Sequence, residues 1–535
     1  MAKTYKPVVL VVMDGFGVSL EEKGNAVRLA KTPTLDMFDV SFPFTTLQAS
    51  SVAVGLPWGE AGNSEVGHLT MGTGRVIYHH LPRIIYSIHD GSFFTNEAFV
   101  RAAEHVKKNN SKLHIIGLTS SGSVHSYMDH LYALLKFVET SGVPRAFLHV
   151  VTDGKDAPPK EGEKLLPQLE ERMAKETPHT KIATLAGRFY VMDRDEKWDR
   201  VKAAYELYTD GKGVSISSIA DHLRESYARE LTDEFIEPAV LKGPDGWPVA
   251  KIEDGDAAII FNFREDSVRE ISHALVDNVF DFFPRRKRLS NFLLVTMTEY
   301  EKNLDAVAAF TPLEVMAPLA RIVSDANLRQ LHIAETEKYA HVTYFFNGGR
   351  EKPYPNEERI LVPSLPAAHF DDVPEMKAPE ITARTLEELS REDFILVNFA
   401  NTDMVGHTGN LQAAVRAVEA VDRALGELYQ GVTSRDGVLV VTGDHGNVEA
   451  KQNLVSGEAM SEHSINPVPF YIVGKDFRLD KIRTASEVIK QKREVGGILT
   501  DVAPTVLELL GLKKSPEMTG SSLLPTLIQQ HFGHG

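Results

Sequence analysis

The chain has 535 residues, of which 43% are hydrophobic and 25% charged, a composition typical of a globular protein. A chain of this length exceeds what one hydrophobic core supports, so we expect at least two domains. The formal net charge of -16 argues against nonspecific binding to nucleic acid or to anionic membranes. Cysteine is absent, which excludes disulfides, thiolate metal sites and cysteine nucleophiles.

The amino-terminal segment has no features of an export signal. The apolar run before Asp14 is shorter than the core of a signal peptide. No apolar run elsewhere reaches the length of a membrane span. We therefore predict a cytoplasmic protein that binds neither membranes nor nucleic acid.

Apolar runs rich in β-branched residues predict strands that are buried on both faces, as in a parallel sheet. A helical spacing of apolar residues from Leu411 to Leu428 predicts a helix that ends before Gly431. This alternation indicates an α/β fold. In chain order the predicted strands are Val8 to Met13, Leu113 to Leu118, Phe147 to Val151, Ile182 to Leu185, Ala257 to Phe261, Phe394 to Phe399 and Val438 to Thr442.

Carboxylates follow three of these strands, at Asp14, Asp403 and Asp444. Ligands of open α/β sheets collect beyond the carboxyl ends of the strands, so we expect the three to share one site. His407 follows Asp403 by four residues, and His445 follows Asp444 directly. Mixed carboxylate and imidazole ligands suit manganese, zinc or cobalt better than magnesium or calcium. Taken alone, an Asp-x-x-x-His pair more often lies on the surface of a helix without binding a metal. The prediction of a metal site therefore depends on several candidate ligands meeting at one place.

A serine lies among glycines in the segment Gly62-Asn63-Ser64-Glu65-Val66-Gly67-His68, which a helix can follow. Glycine permits close backbone approach, and the amino end of a helix stabilises negative charge. A divalent cation beside Ser64 would favour its alkoxide form as a nucleophile toward phosphorus. A helix cap without chemistry is the alternative for this segment alone.

The strands in the middle of the chain are followed by histidine and basic residues instead of a metal-type set. This change predicts a second α/β domain at residues 80–310, inserted between the two parts of the first domain at 1–79 and 311–535. Prolines in Tyr78 to Pro82 and in Ala308 to Pro312 disfavour continuous helix and indicate the borders. In chain order the residues that follow the middle strands are His125, Asp153, Lys155, Asp156, Arg188, Arg194 and Arg264.

Motifs in a fixed order along nearly the whole chain show a resemblance to a known family. They are Asp14-Gly15, Gly62 to His68, Ala334 to His341, Asp403 to His407 and Asp444 to Asn447. Together they resemble the cofactor-independent phosphoglycerate mutases of the alkaline phosphatase superfamily. The resemblance implies an alkaline-phosphatase-like parallel-sheet domain that is interrupted by the inserted α/β domain.

The resemblance also implies the reaction, which is interconversion of 3-phosphoglycerate and 2-phosphoglycerate through a phosphoserine at Ser64. The reaction would depend on two divalent metal ions and would need no bisphosphoglycerate. Manganese is the expected metal, with zinc or cobalt as alternatives. One ion would be held by Asp403, His407 and His463, and the other by Asp14, Ser64, Asp444 and His445.

Further residues match the family's catalytic and substrate-binding positions, and the resemblance implies their roles. Ser64, Asp156, Lys338 and Arg264 would be catalytic, with Asp156 as the proton shuttle. The expected partner is a small phosphoglycerate, bound by a monomer whose domains close over it. The implied substrate contacts are His125, Lys155, Asp156, Arg188, Arg194, Arg264 and Lys338.

Three positions in the insert depart from the family pattern, and none belongs to the metal set. Lys155 and Ser267 stand where the family usually has arginine, and Ser121 stands where it usually has aspartate. Lysine keeps the positive charge but loses the planar fork that binds a carboxylate or phosphate bidentately. We therefore expect an altered affinity for the substrate.

Two other functions fit the same residues. One is a related metal-dependent phosphomutase or phosphatase that acts on another small phosphate ester, and release of inorganic phosphate would identify a phosphatase. The other is a metal-binding sensor of a phosphorylated metabolite. The candidate nucleophile Ser64 argues against a sensor, because sensing alone does not require a nucleophile. For the enzyme we also expect pH-sensitive activity, because protons compete with metal for His407, His445 and His463.

Overall fold

The computed structural model describes residues 3–311, 315–366 and 369–532. The chain divides into two compact units. Unit 1 consists of Met1–His79 and Leu313–Gly535, and unit 2 of His80–Pro312. Pro312, which contributed to the predicted second border, lies outside the described residues. No helix in the described ranges is long and apolar enough to span a bilayer.

Strands and helices alternate along both units. In chain order the strands are β1 (Val8–Met13), β2 (Phe44–Gln48), β3 (Leu113–Leu118), β4 (Ala146–Thr152), β5 (Thr180–Gly187), β6 (Val214–Ile216), β7 (Ala239–Leu241), β8 (Ala257–Ile260), β9 (Leu293–Thr298), β10 (Val307–Phe310), β11 (Gln330–Glu335), β12 (Glu357–Val362), β13 (Phe394–Phe399), β14 (Val438–Gly443), β15 (Val468–Val473) and β16 (Val495–Ile498). The α-helices are α1 (Ala26–Leu29), α2 (Pro33–Ser41), α3 (Ser64–Thr73), α4 (His80–Asp90), α5 (Glu97–Asn109), α6 (Met128–Ser141), α7 (Gly162–Glu176), α8 (Arg188–Val191), α9 (Trp198–Asp210), α10 (Ile219–Ala228), α11 (Arg269–Val276), α12 (Leu319–Asp325), α13 (Ala378–Glu388), α14 (Asn401–Gly406), α15 (Leu411–Thr433), α16 (Ala485–Arg493), α17 (Val502–Leu509) and α18 (Leu524–Phe532).

The sheet of unit 1 has the strand order β12-β11-β13-β1-β14-β15-β2-β16, and β15 runs antiparallel to its neighbours. Strand β1 lies between β13 and β14 and is buried along its whole length, as its apolar sequence predicts. Met13 pairs with Phe399 on one side and with Gly443 on the other. This register places Asp14 and Asp444, each the first residue after its strand, at the same edge of the sheet.

The sheet of unit 2 has the order β10-β9-β8-β3-β4-β5-β7-β6, and β7 is antiparallel to β5. Alternate residues of β3 pack into different hydrophobic clusters, with Leu113 and Ile115 on one face and Ile116 and Leu118 on the other. Both faces of this sheet are therefore covered. The predicted α/β class with an inserted domain is confirmed.

Two helix predictions need correction. Helix α15 does not end before Gly431 but continues to Thr433. A Cβ at Gly431 would lie 2.3 Å from Cδ2 of Leu386, so glycine here permits close packing of α13 against α15. Pro82 does not prevent a helix, because it lies in the first turn of α4, where a backbone N–H needs no intrahelical partner.

Candidate active site

Ser64 is the first residue of α3, so a helix does begin in the segment Gly62 to His68, as the sequence suggested. The side chain of Asn63 caps this helix by accepting the N–H of Val66 at 3.0 Å. A Cβ at Gly67 would lie 2.7 Å from the carbonyl oxygen of Asp444, so only glycine permits this close approach of the helix. The result is a serine at the positive end of a helix dipole, beside the carboxyl edge of the sheet.

Three charged or ionisable groups surround the hydroxyl of Ser64, which is buried. The hydroxyl donates to Oδ1 of Asp14 at 3.0 Å and lies 3.0 Å from Nε2 of His445. The ammonium of Lys338 donates to the hydroxyl at 2.6 Å. The same ammonium lies 2.6 Å from Oδ1 of Asp14 and 2.6 Å from Oδ2 of Asp403. The candidate nucleophile is thus held inside a buried charge cluster.

The charges in this cluster shift one another's pKa values. Burial raises the pKa of Asp14, but Lys338 and then His445 outweigh it and hold that pKa far below its usual range. Burial is likewise outweighed at Asp403, whose pKa Lys338 lowers strongly. Burial lowers the pKa of His445, but Asp444 and the neighbouring carboxylates raise it to about 9. The carboxylates are therefore ionised, which suits a cation-binding site.

Two imidazoles converge on one carboxylate oxygen. The Nε2 atoms of His407 and His463 lie 3.0 Å apart and 3.3 Å and 3.2 Å from Oδ1 of Asp403. The Nδ1 atom of His407 lies 2.9 Å from the carbonyl oxygen of Ser461, and that of His463 lies 2.8 Å from the carbonyl oxygen of Gly62. A carbonyl only accepts, so each Nδ1 has a proton, and in the neutral imidazole each Nε2 then has the lone pair. A divalent cation fits this arrangement, because it would stabilise the facing lone pairs.

A second set of ligand-type atoms surrounds Asp444. Its Oδ1 accepts the N–H groups of Gly15 and His445, each at 3.0 Å. Its Oδ2 is buried and has no hydrogen-bond partner among the described residues. Such an atom is usually satisfied by an ion or a water. Ligand atoms of Asp14, His68 and Asp444 lie within 4.8 Å of one another, so this set also fits a cation.

The position of His445 is compatible with either set. Its Nε2 lies 3.5 Å from Asp14, 3.6 Å from Asp444 and 3.8 Å from Asp403. Its ring also stacks on that of His463, with the ring centroids 3.9 Å apart. The seven residues of the predicted metal set therefore lie together in unit 1. Nε2 of His445 lies within 3.8 Å of carboxylates from both groups.

The predicted substrate residues of the insert line one cavity of about 200 Å³ in unit 2. Lys338, the remaining predicted contact, lies in unit 1. Ser267 and Arg200 also line the cavity, and Arg200 was not predicted. Ser121 is exposed and donates its backbone N–H to Glu161 at 3.1 Å. The predicted residues in the cavity lining are His125, Lys155, Asp156, Arg188, Arg194 and Arg264.

One side of the cavity is organised by Arg188, which is almost fully buried. Its Nη1 donates to Asp153 at 2.7 Å and to Asp156 at 2.5 Å. Burial raises the pKa of Asp153, but the hydroxyl of Ser120 and the guanidinium of Arg188 lower it overall. Lys155 is exposed at the cavity. The proposed proton shuttle Asp156 is therefore paired with a cation.

The other side of the cavity is organised by Asp266, which sequence reasoning did not single out. Its Oδ2 lies 2.7 Å from Arg194 and 3.0 Å from Arg264. Its Oδ1 accepts the hydroxyl of Ser267 at 3.0 Å and lies 3.7 Å from Nδ1 of His125. Burial, followed by the charge of Arg188, lowers the pKa of His125 to about 4, so this imidazole is neutral near pH 7. Two guanidinium groups thus share one carboxylate on this side of the cavity, which leaves donors for an anionic ligand.

Comparisons with known proteins agree with this arrangement. Residues 84–302 match the family model of the BPG-independent PGAM N-terminus, and residues 320–493 match that of the type I phosphodiesterases and nucleotide pyrophosphatases. The 2,3-bisphosphoglycerate-independent phosphoglycerate mutase of Thermomicrobium roseum is 47% identical over 97% of this chain and 98% of its own. The chain belongs to this family. It is therefore an enzyme, an isomerase.

Other phosphoglycerate mutases are also similar to this chain over nearly its whole length. The enzyme of the same name from Clostridium perfringens is 46% identical over 97% of this chain and 99% of its own. A crystal structure of Leishmania mexicana phosphoglycerate mutase at low cobalt concentration has a TM-score of 0.53 and 31% identity, and covers 97% of each chain. The resemblance predicted from the motifs is confirmed.

Two polar residues near Ser64 had no role predicted from the sequence. Asn398 donates its amide to Oδ2 of Asp14 at 2.7 Å and lies 3.0 Å from Nε2 of His68. Nδ1 of His68 lies 2.9 Å from the carbonyl oxygen of Ser64. Both had a signal: Asn398 is a polar residue inside a buried strand, and His68 lies one helical turn after Ser64.

Three further buried polar residues follow β14. Asn447 donates its amide to Oδ1 of Asp403 at 2.8 Å. Oε2 of Glu449 accepts the N–H groups of Gly17 and Asn447, each at 2.9 Å, and so joins two loops of the site. Burial lowers the pKa of Lys451 to about 8. Nothing in the polar segment around Lys451 indicates a buried side chain, because lysine is usually exposed.

Proposed function

We propose that this enzyme interconverts 3-phosphoglycerate and 2-phosphoglycerate through a phosphoserine at Ser64, without bisphosphoglycerate. The observation that supports this most directly is the surroundings of the Ser64 hydroxyl. It lies at the amino end of α3, within hydrogen-bond distance of Asp14, His445 and Lys338. Asp14 can accept the hydroxyl proton, and the ammonium of Lys338 and the amino end of α3 stabilise the negative charge that develops as the oxygen attacks phosphorus.

We propose two divalent metal ions as cofactors. Asp403, His407 and His463 would hold one, and Asp14, Ser64, Asp444 and His445 the other. Two observations support this: Nε2 of His407 and of His463 carry lone pairs when the rings are neutral, and Oδ2 of Asp444 has no hydrogen-bond partner among the described residues. Manganese is the metal that the family resemblance implies, with zinc or cobalt as alternatives that also suit mixed carboxylate and imidazole ligands, and the Leishmania mexicana relative was studied with cobalt. When bound, such ions neutralise phosphoryl charge and favour the serine alkoxide.

The residues of this chain would then act in two half-reactions. The oxygen of Ser64 forms a bond to phosphorus as the bond from phosphorus to the C3 oxygen of the substrate breaks. The released glycerate reorients, its C2 oxygen takes the phosphoryl group back, and Ser64 is regenerated. Lys338 and Arg264 would add positive charge at the transferring oxygens, and Asp156 would move protons to and from the glycerate hydroxyls.

Binding of the substrate would fall to the cavity of unit 2. Its cations Lys155, Arg188 and Arg194 suit a molecule with a phosphate and a carboxylate. The neutral imidazole of His125 can exchange hydrogen bonds with a glycerate hydroxyl. Since Ser64 belongs to unit 1, the reaction needs residues of both units. Domain closure over the substrate stays a prediction, which X-ray scattering with and without substrate and Mn²⁺ tests.

An enolase-coupled assay on 3-phosphoglycerate, without added bisphosphoglycerate, tests the proposal. We expect turnover with Mn²⁺ that chelator abolishes and that Ser64→Ala removes. Ser324→Ala in the same unit is a matched control, because its hydroxyl only donates to the carbonyl of Pro355, at 2.6 Å. Turnover that survives Ser64→Ala would contradict the phosphoserine.

The same assay separates the enzymatic alternatives. Release of inorganic phosphate from 3-phosphoglycerate, in place of 2-phosphoglycerate, would support a phosphatase. Brief incubation with phosphoryl-labelled substrate, followed by acid quench, should leave label on Ser64. The monomeric state and the cytoplasmic location stay predictions, which light scattering and cell fractionation test.

A further inference from the structure

A buried lysine outside the predicted site lies beside the candidate metal ligands. Lys451 is 1% exposed. The backbone of Lys451 is held on both sides: its backbone N–H donates to the carbonyl of Gly24 at 2.7 Å, and its carbonyl accepts the backbone N–H of Met460 at 3.1 Å. Burial of an ammonium is costly unless acceptors surround it, so its partners indicate its role.

The ammonium of Lys451 donates hydrogen bonds to oxygen atoms of three separate segments. The ammonium donates to Oδ1 of Asn447, to the carbonyl of Gly406 at 3.0 Å and to the carbonyl of Glu462 at 3.5 Å. Gly406 directly precedes His407, and Glu462 directly precedes His463. One cation therefore contacts the backbone next to both converging imidazoles.

Asn447 extends this contact to the third ligand. Because its Oδ1 accepts from the ammonium of Lys451, its Nδ2 must be the atom that faces Asp403. That Nδ2 donates to Oδ1 of Asp403 at 2.8 Å, and this is the oxygen on which Nε2 of His407 and His463 converge. All three ligands are thus connected to one buried side chain.

We propose that Lys451 is a positioning residue for the Asp403, His407 and His463 set and raises the affinity of that set for a divalent cation. This inference rests on the proposed function, because it requires those residues to bind metal. Loss of an outer hydrogen-bond partner typically weakens metal binding by about 10- to 100-fold. An apolar side chain of the same length would fill the space but would release both carbonyls and the amide of Asn447.

Calorimetric titration of Mn²⁺ into the chelator-treated, full-length enzyme tests this. Lys451→Met keeps an unbranched side chain that is one atom shorter, and removes the charge and the donors. Lys112→Met is the matched control in unit 2, where the ammonium donates to the carbonyl of Lys251 at 2.7 Å. We expect Lys451→Met, and not Lys112→Met, to raise the Kd of one Mn²⁺ site by about 10- to 100-fold.

Kinetics provide a second readout. At saturating Mn²⁺ the kcat of Lys451→Met should recover, while the KM for 3-phosphoglycerate stays at the native value, because the substrate cavity is unchanged. If Lys451→Met does not fold, Lys451→Gln, which is neutral but keeps an amide donor, should weaken Mn²⁺ binding in the same direction. Native Mn²⁺ affinity in the folded Lys451 variant would overturn the inference. A native enzyme that binds no Mn²⁺ would instead overturn the proposed metal chemistry.

Discussion

The Nε2 atoms of His407 and His463 lie 3.0 Å apart, although each ring directs its Nδ1 proton to a backbone carbonyl. When both rings are neutral, as metal binding requires, neither Nε2 can donate to the other, so the contact is then not a hydrogen bond. Both atoms also face Oδ1 of Asp403. The local geometry holds three electron-pair donors against their mutual repulsion, as metal ligands are held.

Loss of either imidazole should therefore remove one metal ion. We expect His407→Ala and His463→Ala each to reduce the Mn²⁺ stoichiometry by one, with little added effect in the double variant, because both remove the same ion. Calorimetry measures this, and His273→Ala in unit 2, where the imidazole pairs with Asp277, is the control. Two Mn²⁺ ions bound at native affinity in the variants would contradict the assignment.

Lys338 should stabilise the protein most when metal is removed. Lys338→Met leaves the buried carboxylates of Asp14 and Asp403 without their cation, and breaking such a buried pair costs about 3–5 kcal/mol. In chelator we expect a clear drop in melting temperature, and with Mn²⁺ a smaller one. Lys475→Met, which breaks an exposed pair with Asp436, should cost no more than about 1 kcal/mol in either condition. Equal drops for Lys338→Met in both conditions would oppose this prediction.

Lys155→Arg should strengthen substrate binding. Lys155 is an exposed residue of the unit 2 cavity, and arginine would add a planar fork for a carboxylate or phosphate. One added charge-assisted hydrogen bond lowers KM by roughly tenfold, with kcat nearly unchanged, if it forms equally in ground and transition states. Lys160→Arg, whose ammonium lies over the ring of Tyr227, is the control in the steady-state assay. A KM that stays constant or rises would count against the role of Lys155.

His130 should make the enzyme less stable in acid. Burial lowers its pKa to about 3, and neither ring nitrogen has a hydrogen-bond partner among the described residues. Its folded pKa lies below the unfolded value of about 6.5, so the unfolded chain takes up the proton first as the pH falls. The free energy of unfolding is therefore unaffected by the titration of His130 above about pH 6.5. Below that pH it falls toward pH 3, by up to about 1.4 kcal/mol per pH unit.

His130→Phe tests that prediction, because it removes the titrating group and keeps an aromatic ring. Urea unfolding at pH 7.5 and 5.0 should show a pH slope that is smaller by about one proton, and a pH 5.0 stability about 2 kcal/mol above the native trend. His179→Phe is the control, since His179 is exposed and pairs with Glu139. An unchanged slope would mean that His130 does not titrate in this way.

The strands that position the site were predictable from the sequence, because they are buried on both faces. β1, β3 and β13 have the predicted bounds; β1 is wholly apolar, and β3 and β13 are each interrupted by one polar residue, His114 and Asn398. β6 and β7 have only three residues each and no periodic signal. The order of strands in each sheet depends on long-range packing, which a local pattern does not encode.

The residues that contact Ser64 differ in how far the sequence indicates them. Asp14 is the first residue after β1 and His445 the second after β14, so strand prediction was enough to place them at one edge. Lys338 follows β11 in a short 3₁₀ turn and was indicated only through the family motif. Lys451 and Asp266 belong to polar segments, and only the folded chain reveals that their charges are enclosed or paired.

The insertion of unit 2 into unit 1 also sets an order for folding during synthesis. Unit 2 is continuous in sequence, so its sheet can be completed soon after residue 312 leaves the ribosome. Unit 1 must wait for β13, which pairs with β1, and then for β14, β15 and β16. At about 5–20 residues per second, synthesis from residue 312 to the end of β13 takes on the order of 4–20 s, during which β1 has no partner strand. The most apolar strand of the enzyme is thus the one that most needs protection by chaperones while the chain is incomplete.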